Sequence, residues 1–134
     1  MRSIAIALSS MLVLAPIPSQ AASVACEYML LRVYHAEMDH CRVALPKDRE
    51  DRYSRMDAAM EKYIRDNARN DASKMISSVD DNVKRAVQSL TSCKSSDFDL
   101  ARQAMDQLTT PANESGMHDR LKYPGDPQVG GCGT

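Results

Sequence analysis

Four cysteines, Cys26, Cys41, Cys93 and Cys132, are spread along 134 residues that contain no tryptophan and a single phenylalanine. A short chain with so few large aromatic side chains builds a small core, and covalent cross-links are the usual supplement. Whether the cysteines can cross-link depends on compartment, which the first residues address. Arg2 supplies a basic start, residues 4–17 are largely apolar, Pro16 and Pro18 interrupt the run, and Ser19-Gln20-Ala21 puts small residues where a signal peptidase reads. So short a run, broken by proline, does not span a bilayer. Residues 1–21 are therefore expected to be a cleaved secretory signal, with cleavage after Ala21 or Ala22. The chain is then periplasmic or secreted, where disulfides persist. A lipoprotein signal would instead place lipid on Cys26, but Ser23 stands where a branched apolar residue belongs.

Beyond the leader, apolar residues recur at helical spacing and no segment alternates as a strand would, so the expected class is all-α. A first helix over residues 26–44 carries Leu31, Tyr34, Met38, Cys41 and Leu45 on one stripe, and Pro46 ends it. A second begins near Asp48, with Glu50 and Asp51 at the positive end of its dipole, and carries Tyr53, Met56, Met60, Tyr63 and Ile64. Asn70-Asp71 caps a third, which runs through Met75, Ile76, Val79, Val83 and Val87 to Cys93. Ser96 with Asp99 forms a capping box for a fourth, carrying Phe98, Ala101, Met105 and Leu108. After Pro111 the pattern dissolves into a Gly/Pro-rich stretch. The expected organisation is a four-helix bundle over residues 22–110, antiparallel and up-down-up-down because its connections are short. Residues 111–134 form an irregular tail.

That layout sorts the cysteines. Cys26 and Cys41 on one helix are roughly 22 Å apart, too far to bond. Cys41 and Cys93 close the first and third helices at one end, and a descending fourth helix returns the tail, with Cys132, to Cys26 at the other. Cys41–Cys93 and Cys26–Cys132 are the expected disulfides, the second tying the tail back. Their loops are worth about 4 and 5 kcal/mol in the chain-entropy model.

The stretch Tyr34-His35-Ala36-Glu37-Met38-Asp39-His40-Cys41 concentrates metal-ligating side chains. His35 and Asp39 share one helical face, and Glu37 and His40 another. A site needs a third ligand and usually a fourth, however, and the only other histidine is His118. His35, Asp39 and His40 are thus candidate ligands for zinc or copper without a complete set, and no metal or other cofactor is assigned. Met38, Met56, Met60, Met75 and Met105 fall on core stripes rather than in a copper-binding cluster. The Cys-x-x-Cys-His of covalent haem is absent.

Gly-x-Ser-x-Gly, His-Glu-x-x-His and phosphate-cradling glycine loops are also missing, so the chain is expected to lack enzymatic activity. Its formal net charge of −1 supplies no basic face for nucleic acid. The first helix points to protein binding. Besides its core stripe it carries Met29, Val33, Ala36 and Val43 along a second line, a wider apolar arc than a simple bundle needs. Those four residues are the expected partner surface, for another protein or a second copy of the chain. The layout resembles that of small helical immunity proteins, a likeness of architecture. An exported inhibitor, immunity protein or chaperone-like factor is the leading reading, ahead of a metal or haem carrier and of a hydrolase-like enzyme.

Overall fold

The computed structural model describes residues 23–129 and residue 132. The expected signal and its cleavage site lie outside the described residues. Within them the protein is helical, with α1 at Val24–His40, α2 at Lys47–Asn67, α3 at Ala72–Ser89, α4 at Ser96–Leu108 and α5 at Pro111–Leu121. The core joins Tyr28, Leu31 and Met38 of α1 to Met56, Met60 and Ile64 of α2, and to Ile76, Val79, Phe98, Met105 and Met117 of the later helices. Helix α1 packs against α2, α3 and α4, while α5 packs on α2.

Each boundary has a local cause. The Ser23 hydroxyl accepts a hydrogen bond from the Cys26 amide at 3.1 Å and caps α1. Pro127, from the far end of the chain, accepts from the Ala25 amide at 3.0 Å and satisfies another free donor. Helix α1 ends at His40, four residues short of the expected bound. Arg42 takes a left-handed backbone with φ of 56°. The Arg42 amide then donates to Asp39 and the Val43 amide to Met38, at 3.0 and 2.9 Å. That is a Schellman stop with arginine in the glycine position. Helix α4 is capped by Ser95, whose hydroxyl accepts from the Phe98 amide at 3.2 Å, not by the expected Ser96–Asp99 box.

The largest departure is α5. Residues 111–121, expected to be irregular, form a helix capped by Thr110, with Pro111 in its first turn, where a missing amide hydrogen costs nothing. Met117 is its buried anchor. The corner before it is also built from within: Thr109 is fully buried, and Arg52 of α2 donates to its carbonyl at 2.7 Å. Arg52 and Arg55 then both reach Glu114, at 3.2 and 2.8 Å. Of the described residues past Pro111, 122–129 are irregular, and Tyr63 holds them by donating to the Tyr123 carbonyl at 2.9 Å.

Cys41 is bonded to Cys93 and Cys26 to Cys132. Both ends of α1 are therefore fixed covalently. The Cys26 sulfur, the alternative site for lipid, is the one bonded to Cys132.

Candidate functional site

The Schellman turn that stops α1 also shapes a cleft. Reversal at Arg42 brings Val43 back towards Met38, and Pro46 then starts α2, whose first turns lie beside the end of α1. The space between, about 220 Å³, is lined by His35, Met38 and Asp39 of α1, by Val43, Ala44 and Leu45 of the connection, and by Glu50 of α2. His35, four residues before Asp39, lines it together with Asp39, as the shared helical face requires. Its direct partner is on another helix: His35 Nε2 lies 3.0 Å from both carboxylate oxygens of Glu50. A carboxylate only accepts, so Nε2 carries the hydrogen and donates. The imidazole stacks on Tyr53 with centroids 3.7 Å apart and planes at 1°. Stacking on one side and a two-oxygen acceptor at the edge leave the ring little freedom.

The other members of the octet go elsewhere. His40 is exposed, Met38 is buried in the core and the Cys41 sulfur is in a disulfide. Burial raises the Glu37 carboxyl above its ordinary range, and the nearby Asp97 adds to the effect. Among the described residues no three His, Cys, Asp or Glu side chains converge as a metal ion would need.

A charged seam adjoins the cleft along α1, α2 and α3. Arg32 Nη1 donates to Asp80 of α3 at 2.7 Å and to the Tyr28 hydroxyl at 2.9 Å. Its Nε lies 3.6 Å from Asp57 of α2. One guanidinium thus serves carboxylates on two other helices, while its face lies 5.2 Å from the Tyr28 ring centre. Asp57 Oδ1 is shut off from solvent with no hydrogen-bond donor. Burial, the largest influence, raises the Asp57 carboxyl despite the pull of Arg32. Burial also pushes the Tyr28 hydroxyl up to about 12, and it moves Tyr53 in the same direction. Both phenols stay protonated at any physiological pH, and the Tyr28 hydroxyl donates to Glu61 at 3.4 Å. None of Arg32, Asp57 or Asp80 stands out in the sequence, because the seam joins three helices with no local pattern between them.

The apolar line on α1 is divided by its neighbours. Met29 and Val43 pack against the core, and Val33 and Ala36 are half-buried. The central place of α1, flanked by three helices, accounts for much of its wide apolar arc. Val33 and Ala36 thus stay partly open, and each end of the line borders a recess. Val43 borders the cleft just described. Met29 lines a groove of about 290 Å³ between α1 and α3, with Met75 and Val79, beside Cys26–Cys132. No helix among the described residues is long and apolar enough to cross a membrane. Comparison with protein-family models, with curated proteins and with solved structures finds no match for this chain.

Proposed function

We propose that this chain is an exported, non-catalytic protein-binding module, an inhibitor, immunity protein or chaperone-like factor. Its frame is the up-down-up-down bundle, with α4 and α5 sharing the last leg. The observation that carries the reading is that the apolar line begun on α1 meets a surface recess at each end, at Met29 on the helix and at Val43 in the connection just past its stop. Recesses on a framework cross-linked at both ends of that helix are preorganised, so a partner loses little free energy in ordering them. The two disulfides support export, since such bonds persist outside the reducing cytoplasm.

The test places a photo-crosslinking residue at Val33 in the exporting cell. A single discrete protein adduct is expected, together with a mature chain whose intact mass begins at Ala22 or Ser23. Val33→Asp should abolish the partner's binding while the helical circular dichroism is retained, because a carboxylate there is fully desolvated only in the complex. Loss of helicity in that variant, or no adduct from Val33 or its neighbours on the line, would refute the partner surface.

A further inference from the structure

We infer that the cleft at the end of α1 is a socket for one basic side chain, lysine or arginine, of the partner protein. The inference rests on the protein-binding reading and adds the chemistry of the contact. Size is the first argument. At about 220 Å³ the space falls below the roughly 300–1,000 Å³ of pockets that enclose whole small molecules. It suits a single long side chain entering from outside.

The lining gives the second argument. Met38, Val43 and Leu45 supply an apolar wall, which matches the methylene stem of a lysine or arginine. The charged groups on the lining are the carboxylates of Asp39 and Glu50, and no lysine or arginine lines the space. Asp39 is exposed, and no ion pair among the described residues uses it. Glu50 has a single ion-pair partner among the described residues, the His35 imidazole, and no lysine or arginine lines the cleft beside it. Two carboxylates beside an apolar wall are the electrostatic and steric complement of a cation on a hydrocarbon chain.

Preorganisation is the third. His35 holds the Glu50 carboxylate through both oxygens and is itself held by Tyr53. The Schellman hydrogen bond from Val43 to Met38 fixes the opposite wall. A cation arriving there meets an acceptor already in place, so the charge-assisted bond forms with little reorganisation.

The test uses the full mature chain, isotope-labelled, and follows chemical shifts during titration with N-acetyl-lysine methylamide, N-acetyl-arginine methylamide, the uncharged norleucine analogue and zinc chloride. The lysine or arginine probe should move the Val43 and Leu45 methyls and the His35 imidazole, and bind at least about tenfold more tightly than norleucine. The preference between the two cations identifies the side chain. Glu50→Gln keeps an oxygen for His35 to donate to and removes only charge, so it should lose about tenfold, and Asp39→Asn several-fold. Equal response to norleucine would overturn the inference, as would zinc acting where the amines do not, or shifts confined to other surfaces. If the crosslinked partner still binds Glu50→Gln and Asp39→Asn undiminished, the socket fails while protein binding stands. If the probes bind as expected but no partner is captured, the protein-binding reading fails and the cation site remains.

Discussion

Asp57 illustrates how a single carboxyl can oppose the fold that encloses it. Burial raises its proton affinity in the native state, and the attraction of Arg32 does not cancel that effect. The folded chain therefore holds this proton at a higher pH than the unfolded chain does. Its contribution is most favourable below the ordinary carboxylate range and declines as pH rises through the folded value. Asparagine cannot titrate, so the stability of Asp57→Asn relative to wild type should increase with pH across that window. Urea melts of both proteins between about pH 3 and 7 would show it, and equal slopes would contradict the assignment. Sequence reading could not find this residue. Asp57 sits in an acidic and basic helix where charge is the norm, and only the fold sets it beside Arg32 and Asp80. His35 was conspicuous, but its working partner is Glu50, across a helix boundary, rather than a neighbour on its own helix.

Helices were legible where apolar residues repeat at helical spacing, and obscure where a single anchor or an unusual cap decides. The stripes of α1 to α4 identify Leu31, Met38, Met56, Met60, Ile64, Val79, Phe98 and Met105, all of them buried. Helix α5 escaped because Met117 is its only fully buried side chain and Gly116 sits in the middle of the segment. Thr110 followed by Pro111 was the available signal, a cap residue before a proline suited to the first turn. The end of α1 was misplaced for a different reason. Arginine in a left-handed conformation costs about 1–2 kcal/mol, and nothing local announces it. Arg42→Gly should remove that cost, offset by the entropy glycine gains when unfolded, for a net stabilisation of about 0.5–1 kcal/mol. Thermal melts read the gain directly. A loss would mean that the arginine side chain contributes more than its backbone costs.

At the scale of the molecule the two disulfides have different work. Cys41–Cys93 ties the ends of α1 and α3 beside the candidate cleft, whereas Cys26–Cys132 fastens a segment that follows the last helix. Cys41→Ser should therefore cost more stability than Cys132→Ser, although the longer loop of Cys26–Cys132 gives it the larger chain-entropy value, since a detached tail leaves the helical core packed. Chemical denaturation of the two variants under non-reducing conditions gives the comparison, and a larger loss in Cys132→Ser would reverse the roles assigned here. The two disulfides are consistent with the exported chain that residues 1–21 lead one to expect. The pairing follows from the spacing of cysteines along helices and does not depend on whether the chain past Pro111 is loop or helix.

Cys26–Cys132 also has a mechanical consequence. The bond spans 106 residues and bridges the start of the first helix to the chain beyond the last. A pulling force applied outside those two cysteines passes from one sulfur to the other and bypasses the helices between them. Fully extended, that enclosed length would reach about 350–380 Å, and while the bond holds none of it can be drawn out. Tethered through residues before Cys26 and dragged through residues after Cys132, the domain would carry load as a short link. Its recesses would keep their shape under tension.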